Sequence, residues 1–236
     1  MRMKQSGTAR GRQGVIAVCA GLLLVGGGTI AWAATQQVGP PPVPPASTMT
    51  KGVTPQTSSP APTEGSVTTD DGGGSPPSPE VAQALPAAEP VAVRIPSIGV
   101  DSAVHGLGLN DQGSLEVPSG ERYDEVAWYD GSPAPGEVGP AVLEGHVTGS
   151  GHDPSVFFEL GDVRPGDSVE VDREDGSTAT FEVTRVESAP KADFPRIDVY
   201  GATAGPELRV ITCGGTYDEG ARRHLDNVIV FAELVP

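Results

Sequence analysis

Cysteine is nearly missing from this 236-residue chain, which has only two, Cys19 and Cys213. No C-x-x-C pair occurs, the histidines (His105, His146, His152 and His224) are dispersed, and acidic residues are thinly spread over candidate loops. Such spacing argues against a zinc centre and gives no expectation of a cofactor. Calcium held by loop carboxylates is the one metal reading left open.

A basic excess is also lacking. Up to Pro90 five cations balance five acids, and the other 10 basic and 26 acidic residues follow, so the whole formal charge of −16 belongs to the later part. An acidic surface repels phosphates and anionic headgroups, and no basic patch or DNA-reading helix offsets it. No nucleic-acid partner is expected.

Long apolar runs are lacking except at the start. Residues 1–13, "MRMKQSGTARGRQ", carry four cations and no acid, and residues 14–34, "GVIAVCAGLLLVGGGTIAWAA", are 21 uncharged and mostly apolar residues. About 20 such residues span a bilayer as a helix, and flanking cations hold that end in the cytoplasm. The expectation is a basic cytoplasmic tail, a single-pass anchor in the cell membrane, and everything later outside. A cleaved signal peptide competes, since "AWA" precedes Ala34, but the run exceeds the usual apolar core of about 7 to 15 residues. Cys19 follows Val18 early in the run and reads as a lipid-facing or packing residue.

Large apolar side chains then all but disappear. Of the 24 prolines, 13 fall at or before Pro90. Such a stretch cannot bury enough surface to offset its ordering entropy, so 35–90 is expected to be a disordered, partly polyproline spacer. The remaining 91–236, 146 residues, suffice for one domain with its own core.

That domain lacks long helical periodicities. "VAVRIPSIGV", "DSAVHGLGL", "EVAWYD", "GPAVLEGHV", "DSVEVDR", "STATFEVTRVES", "ELRVITC" and "NVIVFAELV" alternate or form short apolar blocks. Turn compositions such as "NDQG", "APGEVG", "RPGD" and "REDG" separate them. Only "DPSVFFELGD" and "PRIDVYGATAG" hint at helical turns. About eight strands without βαβ units predict an all-β fold, with a closed barrel favoured over a two-sheet sandwich because closure removes exposed edges.

Cys213 ends the predicted strand "LRVIT". Outside the membrane an odd thiol must be buried, paired with another chain, or reactive. The glycines after it let the backbone pass close to a ligand and leave an N–H free to face a developing oxyanion. A nucleophilic thiol needs a proton-transfer partner. His146, ending "AVLEGH", is the best candidate, as His105 and His152 lie in polar contexts and His224 follows two arginines.

"ITC" ending one strand, "GH" ending an earlier one and a basic residue before the last strand resemble a sortase, the membrane-anchored cysteine transpeptidases of Gram-positive bacteria. The ordered blocks "VAVRIPSIGVDSAV", "GSLEVP", "VAWYDGSPAPGEVGPAVLEGHV", "VFFELGDVRPGDSVEV", "FPRIDVYG" and "LRVITCGGTYD…LDNVIVFAEL" are most similar to class F sortases of actinobacteria. The resemblance implies an eight-stranded sortase barrel whose groove holds Cys, His and Arg. It implies that Cys213 attacks the threonine carbonyl of a C-terminal LPxTG-like sorting motif in secreted proteins, and that His146 protonates the leaving amine. An amine of a peptidoglycan precursor or a pilin would then receive the acyl group.

The arginine departs from the pattern. The family carries it beside the Asp-Asn pair, where this chain has Leu225. Arg223 is the preferred substitute, because residues 223, 225 and 227 share a strand face if the strand begins that early. Arg222 stays open. A non-catalytic binding barrel with a buried Cys213 is the competing function. An L,D-transpeptidase fits less well, since Val210-Ile211-Thr212 replaces the run expected before its thiol.

Overall fold

The computed structural model describes residues 39–44, 82–151 and 153–236. The expected tail 1–13, the expected anchor 14–34, most of the 35–90 spacer, and His152 lie outside the described residues. Among the described residues no helix is long and apolar enough to cross a membrane.

Eight strands form: β1 (Pro90–Ile95), β2 (Val100–Leu107), β3 (Val126–Tyr129), β4 (Gly139–Glu144), β5 (Ser168–Arg173), β6 (Thr178–Pro190), β7 (Pro206–Asp218) and β8 (Arg223–Leu234). They close into a barrel in the order β1-β2-β3-β4-β7-β8-β6-β5. The β2–β3 and β4–β7 pairs are parallel and the others antiparallel. Each predicted strand block holds one strand, and the two predicted helical turns become a 3-10 turn at Leu160–Asp162 and the helix α1 (Arg196–Tyr200).

Alternation within the central strands builds two apolar layers. Ala141, Leu143, Leu208, Val210, Val228 and Val230 fill the barrel interior. Val142, Ile211, Ile229 and Phe231 point the other way, under Val199 of α1 and Phe194. Burial on both faces explains why β7 and β8 read as near-continuous apolar blocks. The predicted turns hold as well: Gly113, Gly166 and Gly176 have φ of 73°, 94° and 81°, which residues with a side chain rarely adopt.

The packed unit reaches back beyond Val91. Ala82 and Leu85 pack on the barrel core. Leu85 N–H donates to the Gly136 carbonyl at 2.8 Å, and Glu174 N–H donates to the Glu89 carbonyl at 2.9 Å. Proline content marks where regular structure stops, not where burial does, so the composition shift near Pro90 misses this strap.

Candidate active site

Parity along β7 decides which groups meet. Thr212 is buried and donates its hydroxyl to the Gly145 carbonyl at 2.8 Å. Cys213 therefore faces outward with Ile211, half-buried and unpaired. It is not sealed in the core. The strand also continues past the thiol to Asp218, with a register shift between Gly214 and Tyr217, whereas the sequence reading ends it at Cys213. The glycine pair makes this bulge possible. Gly215 has φ 69°, and the Asp226 carboxylate fills the space a Cβ would need.

Strand β4 brings the histidine. Glu144 lies opposite Ile211, and Gly145 N–H donates to the Ile211 carbonyl at 3.3 Å. Counted on by two residues, that parallel register puts His146, just past the end of β4, at the level of Cys213. Gly145 is required there, since a Cβ would stand 2.8 Å from atoms of both Phe157 and Val156.

The His146 ring is held from the other side. It stacks on Tyr123 with centroids 4.1 Å apart and planes 14° apart, and its Nε2 lies 2.9 Å from the Pro118 carbonyl. A carbonyl only accepts, so Nε2–H donates, and Nδ1 is the nitrogen left to exchange a proton. The other described histidines are engaged elsewhere. His105 lies on β2, not in a loop, with Nδ1 3.4 Å from the Glu125 carboxylate, and His224 Nδ1 lies 3.1 Å from the Gly215 carbonyl.

The predicted arginine is not brought to the sulfur. Arg223 opens β8 opposite Asp218, whereas Cys213 pairs with Asn227. Four residues of strand separate the two levels, about 13 Å at 3.3 Å per residue. Arg223 does share the outward face with Leu225 and Asn227, as expected. Arg222 is exposed, with φ 52° in the connecting turn.

A different cation touches the thiol. Lys191 Nζ lies 3.2 Å from Cys213 Sγ. Sequence reasoning missed it because Lys191 falls between the strand block that ends at Ser188 and the block that begins at Phe194. One signal was available: Lys191 is the chain's only lysine after Lys51.

Beside these groups lies a cavity of about 860 Å³ lined by Leu109, Leu115, Tyr129, Phe194, Tyr200 and Asn227, with Lys191 and Arg196 among its polar walls. Ile197, Leu109 and Leu225 are exposed apolar residues, at 85%, 50% and 42%. Beneath, burial pushes the Glu144 carboxyl up to about 7. Burial, then the Glu144 charge, pushes the Tyr200 hydroxyl up to about 12. The arrangement offers a half-exposed thiol with a cation on it, an imidazole on the neighbouring strand, and a largely apolar groove.

A model of the sortase domain matches residues 93–235. No curated protein matches the chain. Among solved structures, sortase A from Corynebacterium diphtheriae is 18% identical with a TM-score of 0.48, over 63% of this chain and 62% of that one. The complex of Streptococcus agalactiae sortase C1 and MTSET is 22% identical with a TM-score of 0.47, over 61% and 66%. Sortase C-1 from Actinomyces oris is 23% identical with a TM-score of 0.48, over 63% and 76%. The chain thus spans just under two thirds of the first two. Because the domain model matches residues 93–235, more than half of its length, this chain belongs to the sortase family.

Proposed function

We propose that the chain is a membrane-anchored cysteine transpeptidase of class F type, acting outside the cell membrane on secreted proteins with an LPxTG-like sorting motif. The observation that carries this reading is Cys213: half-buried on the outward side of β7, beside the strand β4 that ends two residues before His146.

The chemistry follows from those groups. The Cys213 thiol passes its proton to His146 Nδ1 and the sulfur adds to the threonine carbonyl carbon, forming a C–S bond while the carbonyl π pair moves to oxygen. Collapse of that oxyanion breaks the C–N bond, and the departing amine takes a proton from the His146 ring. An amine of a peptidoglycan precursor or a pilin then attacks the thioester, forming an amide and returning the thiol. The apolar groove suits the leucine and proline of such a motif, and the acidic surface suits a cationic acceptor amine.

The test is a quenched LPxTG-type peptide panel, with and without an amine acceptor, beside Cys213→Ala. Cleavage by the wild type that is lost in the variant, with an amide product when the amine is present, is expected. Equal background signal from both proteins across the panel would instead favour a non-catalytic binding barrel.

A further inference from the structure

We propose that Lys191 is a catalytic residue of this site, its ammonium stabilising negative charge first on the Cys213 sulfur and then on the carbonyl oxygen. The inference rests on the transpeptidase reading for its second half. The first half stands on the ion pair alone.

The position is built by three strands in register. Asn227 of β8 lies opposite Cys213 of β7 on one side and opposite Ala189 of β6 on the other, and Pro190 pairs with Asp226. Lys191 follows at once, opening the 3-10 turn Lys191–Asp193. It leaves the sheet at the level of the thiol, one strand away across β8, and its flexible stem reaches back over Asn227 to the sulfur. Ala189 is buried and Pro190 is fixed at φ −58°, so the stem starts from a rigid base.

The partner choice is informative. The domain holds 26 acidic residues, yet among the described residues Lys191 forms no ion pair and its polar contact is the sulfur. Other charged and titratable groups stand on the neighbouring elements: Glu144 at the end of β4 and His146 just past it, Asp226 on β8 with its carboxylate against Gly215, Asp193 in the same turn, and Arg196 at the start of α1. None of these is in hydrogen-bond contact with Sγ. Arg223 lies about 13 Å farther along β8, and Leu225 intervenes on that face.

A cation at 3.2 Å attracts negative charge as it develops on the sulfur during attack. When the C–S bond forms, the sulfur loses its charge and the adjacent carbonyl oxygen gains it. An ammonium on a flexible stem, with three donors, can serve both positions in turn.

Alkylation of Cys213 by iodoacetamide tests the pair without any sorting substrate. The full chain is labelled across pH 5 to 10, and the peptide carrying Cys213 is quantified by mass spectrometry for the wild type, Lys191→Met, Lys191→Gln and Lys191→Arg. Thermal melts confirm that each variant is folded. The expected result is a midpoint raised by about one pH unit or more in the Met and Gln variants, with alkylation at pH 7 slowed about tenfold. The Arg variant should keep most of the wild-type rate. Folded Met and Gln variants with the wild-type midpoint would overturn the proposal, as would an acyl group recovered on Lys191 after turnover. A wild-type chain that shows the low midpoint yet cleaves no peptide would count against the transpeptidase reading and leave the ion pair intact.

Discussion

Thr212 and Cys213 are neighbours that point to opposite sides of one strand, and the chemistry depends on which goes where. The hydroxyl bonds inward to the Gly145 carbonyl, so the sulfur points outward, next to Lys191 and Asn227 of the cavity wall. At this scale the cation is the sharpest claim. Lys191→Met is expected to lower kcat/KM about a hundredfold, the usual cost of a lost oxyanion donor, while Arg223→Ala changes it less than about threefold. Steady-state peptide cleavage decides between them, and the reverse ranking would return the role to Arg223. Glu144 sets a pH dependence. Its carboxyl stays protonated up to about 7 in the fold but only to about 4.5 when solvated, so the native state binds the extra proton between those values. Stability should therefore be full below pH 4.5 and fall by on the order of 2 kcal/mol as pH rises to 7. Denaturant titrations of Glu144→Gln should lack that decline.

Single elements show what the sequence makes legible. All eight strands are readable, because β-branched alternation and Gly-containing turns act locally. The positions of Cys213 and His146 are readable too, each at the end of an apolar block beside a glycine, while their roles as nucleophile and proton donor stay proposals. The continuation of β7 beyond Cys213 is not, since a bulge depends on pairing with β8 and the glycines look like a stop. Lys191 is hidden for a related reason: its relation to the thiol arises across two strand pairings, β6 to β8 and β8 to β7, which no local pattern reports. Gly145 is the element-scale test. A methyl group there meets Phe157 and Val156, so Gly145→Ala should destabilise the domain by about 1–3 kcal/mol and displace the His146 ring. Chemical denaturation measures the first effect and peptide turnover the second. A variant with wild-type stability and rate would show the strand end to be tolerant.

Across the whole molecule, one buried guanidinium ties the strap before β1 to the barrel. Arg173 is 2% exposed; it donates to the Pro86 carbonyl at 2.5 Å and the Pro135 carbonyl at 3.3 Å, and pairs with Asp175 at 3.0 Å. A buried charge stripped of a partner is strongly destabilising. A domain begun at Val91 would lose the Pro86 carbonyl together with the Leu85 contact. It should be less stable than one begun at Ala82 by about 2–4 kcal/mol. Equal melting temperatures would show the strap to be dispensable.

The central claim is that the sulfur of Cys213 becomes covalently joined to a substrate carbonyl, and trapping that species tests it most directly. The chain is mixed with an LPxTG-type peptide, quenched in acid within one turnover, and its intact mass measured. The account predicts a mass increase equal to the acyl fragment, located on Cys213, released by hydroxylamine and absent from Cys213→Ala. Peptide cleavage with no such adduct, or an adduct that persists in the alanine variant, would contradict it.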